Sequence, residues 1–139
     1  MEAKALVRYF YEVVVSEHQL EKLPDFVDAQ CIWTSGTESK SLGVEGMHAH
    51  LMAVRQTYPE YTMKISQQYQ DGDVIVSIFT MTARHDGEWL GMAPSHKQLI
   101  FQGINVDTVK NGRIVAHGGA VNTFETLWEA GLLSPAEKG

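Results

Sequence analysis

Cysteine is nearly absent from this 139-residue chain, which carries a single one, Cys31. One thiol cannot close an intramolecular disulfide, and no cysteine-based zinc site can be assembled from it. Basic residues are also scarce. Eleven Lys and Arg stand against 17 Asp and Glu, for a net charge of −6. That balance excludes the basic footprint of a nucleic-acid-binding domain and a polybasic membrane patch. Long hydrophobic runs are missing too. Stretches such as Val13-Val14-Val15 fall far short of the ~20 residues a membrane helix needs. The opening Met1-Glu2-Ala3-Lys4 lacks the pattern of a secretory leader, so the expectation is a cytoplasmic protein. There is no internal repeat, low-complexity segment or linker.

What is present is ordinary for a globular protein: 44% hydrophobic and 20% charged residues. A chain of this length is expected to form one domain, residues 1–139. Leu6, Phe10, Val13 and Val14 recur at helical spacing and predict a helix over residues 3–17. A short helix over 21–27 accepts Pro24 in its first turn. Residues 31–34 read as a short strand and 35–43 as a polar loop. Met47, Leu51, Val54 and Tyr58 predict a helix over 44–58, stopped by Pro59. From Tyr61 the period becomes two. Strands are expected at 61–66, 74–85, 97–109 and 113–121, with a connection over 86–96 around Trp89. Asn111-Gly112 is a strong signal for a tight hairpin. A last helix over 123–130 is closed by Gly131. Helices followed by a meander of strands make an α+β protein: a cone-shaped, strongly curved antiparallel sheet wrapped around the N-terminal helices.

Strand parity says which side chains share a face. Val74, Val76, Ile78, Thr80, Thr82 and Arg84 form one set, Ile100, Gln102, Ile104, Val106 and Thr108 another. Ile114, Ala116, Gly118 and Ala120 lead on to Asn122. Parity alone does not separate the inner face from the outer. If these sets meet inside, they enclose an apolar cavity with a few polar groups, Thr80, Gln102 and Thr108 among them, as small-molecule pockets do. The complementary set of Phe79, Met81, Leu99, Phe101, Val115 and Val121 would then lie outside. It is too apolar to face water, so a homodimer or higher oligomer is expected through it.

Asn122 precedes Thr123-Phe124-Glu125, the pattern of a helix N-cap with Glu at the third position, and a cap at a cavity mouth can also face a ligand. Of six histidines, His48 and His50 point to different faces of one helix and cannot share a metal. No metal site is expected. His85 ends a strand and can line a pocket rim. His117 lies on the opposite parity to Asn122 and reads as structural. No glycine-rich phosphate loop follows a strand. Gly118-Gly119 inside a strand marks a bend or the close approach of a ligand.

The run Thr82-Ala83-Arg84-His85-Asp86-Gly87-Glu88-Trp89-Leu90-Gly91-Met92-Ala93-Pro94-Ser95-His96-Lys97 resembles the Thr-x-x-His-x-Gly-x-Phe-x-Gly-x-x-Pro-Thr-Gly-Lys segment of SnoaL-like polyketide cyclases. The hairpin Asn111-Gly112-Arg113-Ile114-Val115-Ala116-His117 and the closing stretch from Asn122 to Leu132 look like that family's next two elements, and residues 46–61 are similar to its helix-Phe-Pro stretch. The resemblance implies the nuclear transport factor 2-like cone. It also implies intramolecular aldol ring closure on a polyketide ester, without metal or organic cofactor. In the family an Asp opening the last helix is the acid/base, and a His or Arg one strand earlier assists it. Here those positions match Asn122 and Thr108. A carboxamide has no useful basicity, so Asn122 would instead donate a hydrogen bond to a carbonyl or enolate oxygen. His85 is then the candidate base, with Trp33 and Phe10 as apolar walls. The family's Trp after the His is replaced by Gly118, which would enlarge the cavity. Family members implicated as cofactor-free ring hydroxylases are similar in carrying Asn there. Three readings follow: a cyclase of a small aromatic or polyketide substrate, a cofactor-independent hydroxylase, and a small-molecule binding module without chemistry.

Overall fold

The change of period near Tyr61 is where the architecture divides. The computed structural model describes residues 1–89 and 91–136. Leu90 of the expected connection and residues 137–139 of the expected domain lie outside the described residues. The chain opens with α1 (Ala3–Tyr9), which runs directly into a π-helical turn (Phe10–Val15). A 3-10 turn (Leu20–Lys22) and α2 (Leu23–Phe26) follow. Next come β1 (Val27–Ser35), β2 (Glu38–Ser41) and α3 (Gly43–Thr57). Beyond Tyr61 lie β3 (Thr62–Asp71), β4 (Val74–Arg84), β5 (Gln98–Lys110), β6 (Arg113–Val121) and α4 (Thr123–Glu129).

The first helix buries Leu6, Val7, Phe10, Tyr11, Val14 and Val15. These pairs repeat every four residues, more slowly than an α-helix turns. Bonds of the i→i+5 kind, from Ser16 N–H to Tyr11 O (3.2 Å) and from Gln19 N–H to Val14 O (2.8 Å), widen the turn and keep such residues on one face. The expected stripe through Val13 is thereby replaced by one through Tyr11 and Val15. Side chains of this helix also satisfy β3. Glu12 Oε2 accepts the Ile65 N–H (2.8 Å), Arg8 donates to Ile65 O (3.0 Å), and Ser16 Oγ accepts the Met63 N–H (2.8 Å). β3 is the last strand of the sheet, and these side chains satisfy backbone groups on its open edge.

The six strands form one curved sheet in the order β2-β1-β6-β5-β4-β3. β3 to β6 make the expected antiparallel meander. β1, however, lies parallel to β6, so the sheet is mixed at that one joint. The polar loop expected over 35–43 contains β2, which pairs with β1 around Gly36 at φ +60°. All four β2 residues are exposed, so no hydrophobic alternation betrayed it. Asn111 and Gly112 both have positive φ, as the tight hairpin between β5 and β6 requires.

On β4 and β5 parity grouped the strand residues as expected, but the faces are reversed. On β5, Leu99, Phe101, Gly103, Asn105, Asp107 and Val109 are buried, and the intervening residues are outside. Ile100, Ile104 and Val106 are 57%, 46% and 40% exposed. Ile75, Ser77, Phe79 and Ala83 are the buried set of β4. The concave face must fill the space under the helices, and the bulky Phe79, Leu99 and Phe101 do so. Gly103 is shaped by this packing, since a Cβ there would run into the Phe79 ring. On β6 a bulge opposite Thr108/Val109 breaks simple alternation. Ile114 and His117, three apart, therefore both point inward. Among the described residues no helix is long and apolar enough to cross a membrane.

Two stability predictions follow from this packing. Gly103→Ala should destabilise the fold by about 1–3 kcal/mol through overpacking, read as a lower urea midpoint, and Phe79→Leu should recover part of the loss. Burial pushes the Tyr61 hydroxyl up to about 12, partly opposed by the Arg55 guanidinium, and pushes the Cys31 thiol up to about 11. Raised acids add stability that is complete below their unfolded values and lost as pH climbs through the folded ones. Melting temperature should therefore fall as pH passes about 10, and less steeply in Tyr61→Phe.

Candidate functional site

Between the concave face and the helices lies a cavity of about 550 Å³, within the range of small-molecule sites. Its walls are mostly apolar, with Phe10, Met47, Leu51, Tyr61, Phe79 and Phe101 among them. Polar side chains line it from inside the fold, Tyr11, His50, Asn105 and His117 among them. Glu88 and Gln56, both exposed, stand at its rim. The connection after β4 is tied to the end of α3, with the Asp86 and Gly87 N–H groups donating to Thr57 O (3.2 and 2.9 Å). That tie brings Glu88 and Trp89 to the cavity wall.

The chemistry concentrates on three residues from three elements. Asp107 on β5 and His117 on β6 are register partners, and the π-helical turn delivers Tyr11 between them. The Tyr11 hydroxyl donates to Asp107 Oδ2 at 2.7 Å. His117 Nδ1 lies 2.7 Å from Asp107 Oδ1 and 3.0 Å from the Tyr11 oxygen. Asp107 is fully buried and His117 is 7% exposed. Burial, and then the Asp107 charge, hold the Tyr11 hydroxyl well above its ordinary value of 10.0. Tyr11 therefore keeps its proton and spends it on Oδ2. A carboxylate only accepts, so the remaining bond assigns the imidazole proton to Nδ1. Nε2 is left with its lone pair. Among the described residues it has no protein partner, and it is not sealed from the cavity. A histidine oriented from behind by a carboxylate, with its far nitrogen free, is the arrangement of a general base.

Asn105, one inward position before Asp107, is 8% exposed, and its carboxamide has no partner among the described residues. It is a free donor and acceptor on the cavity wall. The Cys31 thiol, raised by burial, Asp107 and Asp28, is held protonated and is no nucleophile at neutral pH. Among the described residues no cluster of three or more His, Cys, Asp or Glu is placed to hold a metal ion.

The residues expected from the sequence are placed differently, Phe10 excepted. Phe10 is fully buried and lines the cavity. Trp33 stands behind the lining, its ring edge-on to His50 and His117 at 4.9 and 5.2 Å. Thr80 and Gln102 are corrected to the outer face, where the Thr80 hydroxyl donates to Gln102 Oε1 at 3.1 Å. Thr108 belongs to the same outer row of β5. Gly118 does not enlarge the cavity: a Cβ there would meet Thr34 of β1, so the glycine permits close approach of two strands. Asn122 occupies the N-cap position of α4 without a side-chain cap bond. Its Oδ1 accepts instead from the Gln102 N–H (2.8 Å) and the Thr126 hydroxyl (3.1 Å). Its neighbours Val121 and Thr123 line the cavity; Asn122 does not. His85 is buried outside the lining, its Nδ1 2.9 Å from Ser95 Oγ and accepting the Ser95 N–H at 3.3 Å, where it fixes the connection. His117, read as structural from its parity, is turned inward by the β6 bulge and lines the cavity.

Tyr11, His50, Asn105 and Asp107 were not singled out from the sequence. A signal existed: Asn105 and Asp107 interrupt the bulky face of β5, and a polar residue on the core face is informative. His50 likewise sits three residues after Met47 and four before Val54, on the buried stripe of α3.

Comparison with known proteins follows the same outline. Among curated protein sequences none matches this chain. IdmH from Streptomyces antibioticus, a proposed polyketide cyclase, superposes with a TM-score of 0.81 at 18% identity, covering 94% of this chain and 99% of that one. A proposed polyketide cyclase from Acidithiobacillus ferrooxidans gives 0.80 at 22% identity, covering 91% and 92%. AclR from Streptomyces galilaeus, a proposed hydroxylase, gives 0.81 at 18% identity, covering 98% and 89%. At such identities the likeness is one of fold. The sequence match is wider in meaning: the family model described as SnoaL-like polyketide cyclase fits residues 5–129, and the chain belongs to that family.

Proposed function

We propose that this protein catalyses cofactor-free ring closure, of the intramolecular aldol type, on a small aromatic or polyketide-type substrate bound in the cavity, with His117 as the base. The observation that carries the reading is the Tyr11–Asp107–His117 network, which leaves a lone pair on Nε2 at an apolar wall. In the step, His117 Nε2 takes a proton from carbon beside a carbonyl. The C–H electron pair moves into the C–C bond and the carbonyl pair onto oxygen, giving an enolate. The enolate carbon then attacks a second carbonyl of the same molecule, and the new alkoxide recovers the proton from His117. Asp107 stabilises the imidazolium in between. Atoms and electrons balance without an oxidant or reductant, since the product is an isomer of the substrate. The Asn105 carboxamide supports substrate placement by donating to an oxygen.

A second reading draws on the chemistry of the same intermediate. An electron-rich enolate or phenolate also reacts with dioxygen, which fits the activity proposed for AclR. Ring closure and oxygen uptake on an anthraquinone-type polyketide ester separate the two. Replacing His117 with Gln should lower kcat in the operating reaction by ~100–10,000-fold, the usual contribution of a positioned base. Asp107→Asn should also lower kcat while leaving aromatic binding intact, because it disturbs the tautomer and not the walls. Equal activity of wild type and His117→Gln would refute the assignment of the base. Tight aromatic binding by a wild type inert in both reactions would make the protein a binding module.

Phe79, Leu99 and Phe101, expected on the outer face, are buried, so for assembly we propose a homodimer or higher oligomer of this chain through the convex sheet face, where Ile100, Ile104 and Val106 are exposed instead. Light scattering at tens of micromolar, roughly where an interface of standard size holds, should report more than a monomer, and Ile104→Lys should shift it to monomer. A monomeric wild type contradicts this.

A further inference from the structure

We infer that His50 is a second catalytic residue of the cavity. It donates a hydrogen bond to the substrate oxygen that turns negative as His117 removes the proton, so the favoured ligand is an enolate or phenolate monoanion held between two imidazoles. This inference rests on the reading of His117 as the base.

His50 belongs to α3, the element opposite the sheet. The helical period puts it on the stripe of Met47, Leu51 and Val54, and it lines the same cavity as His117. One indole fixes both rings. Trp33 meets His50 edge-on at 4.9 Å and 72°, and His117 at 5.2 Å and 78°. Both imidazoles therefore lean on a single side chain, and one ligand ring in the cavity can touch both. Neither His50 nitrogen bonds to a protein group among the described residues, and neither is sealed from the cavity. A half-buried imidazole with both nitrogens unpartnered has hydrogen-bonding capacity that only a ligand or water can use.

The charges around the two rings separate their roles. His117 has a carboxylate behind it, which stabilises the imidazolium. His50 has none. It faces His117 from β6 and Lys40 from β2, whose Nζ lies 5.9 Å over the Trp33 ring. Burial, and then the charges that His117 (when protonated) and Lys40 present to it, lower the pKa of His50 from its ordinary 6.5. At neutral pH it is a neutral imidazole with one N–H to donate. Once His117 has taken the substrate proton, its new charge further discourages a second proton on His50. A neutral imidazole that can only donate, beside one backed by a carboxylate, divides the work into electrophile and base. A neutral N–H aimed at a developing oxyanion stabilises the transition state more than the ground state, which is the condition for raising kcat.

The test uses a hydroxyanthraquinone probe, whose phenol and phenolate differ in absorbance, bound to wild type, His50→Phe, His50→Gln and His117→Gln. The Phe variant keeps an aromatic edge against Trp33 and loses the donor; the Gln variant keeps a donor. The apparent pKa of the probe bound to wild type should lie below its value in water. His50→Phe should raise it by at least one unit, a tenfold loss in preference for the anion, and His50→Gln should restore most of the shift. On the polyketide ester, His50→Phe should lower kcat by about 100- to 1000-fold at little change in KM, the effect of removing one oxyanion donor. Affinity for the neutral probe at low pH checks that each variant still forms the cavity. Bound-probe titration in His50→Phe equal to wild type would overturn the inference. So would equal losses in His50→Phe and His50→Gln, since packing and not donation would then be at stake. A wild type inert on the ester that still lowers the probe's pKa through His50 would refute the cyclisation reading and leave the anion site standing.

Discussion

A carboxylate with no exposed surface constrains much of this molecule. Asp107 sits at the sheet's concave face, and an unpaired charge there would cost about 3–5 kcal/mol. Its two oxygens need donors, and the nearest elements must supply them. Three local features converge on that need. The π-helical turn carries Tyr11 on the buried face with Phe10 and Val14. The β6 bulge turns His117 inward beside Ile114. The pairing of β5 with β6 then sets Asp107 opposite His117. Satisfying the carboxylate is also what leaves His117 with a free Nε2, so one set of bonds secures the fold and prepares the site.

The cavity exists because the sheet curves and its glycines are spent on backbone and ring approach. Gly103 yields space to Phe79, and Gly118 lets β1 lie against β6. The parallel strand β1 carries Trp33 behind the two histidines. On the other side, α3 is tied down at its C-terminal end by Arg55, whose guanidinium donates to Val15 O, Ser16 O and Pro59 O and covers Tyr61 at 4.8 Å. The wall that carries His50 is thus clamped to the end of the helix that carries Tyr11. Polar groups held by such supporting contacts lose little freedom when a ligand arrives.

Elements at long range in sequence were legible because their signals are local. The helical period through Met47, Leu51 and Val54 gave α3, the two-residue period gave the meander, and Asn111-Gly112 gave its last hairpin. β2 was invisible, since Glu38-Ser39-Lys40-Ser41 is exposed on both faces and has no pattern to read. The family, too, was legible in the ordered fragments from Thr82 to Leu132 and is matched over residues 5–129.

The candidate site was largely not legible. Sequence alone determined composition class, the helices-then-meander order and which residues of β4 and β5 share a face, because propensity and periodicity act within a few residues. Only the tertiary structure decided which face is concave, since alternation is symmetric until helices cover one side. It decided that Thr80, Gln102 and Thr108 lie outside and that Asn122 bonds to the β5 backbone. It also decided that Tyr11, Asp107 and His117 meet, residues 96 and 10 positions apart along the chain. A one-residue bulge reverses the inward assignment of everything beyond it, and a π turn does the same for a helix. Neither leaves a mark in the hydrophobic pattern, because both are set by what the buried groups must reach.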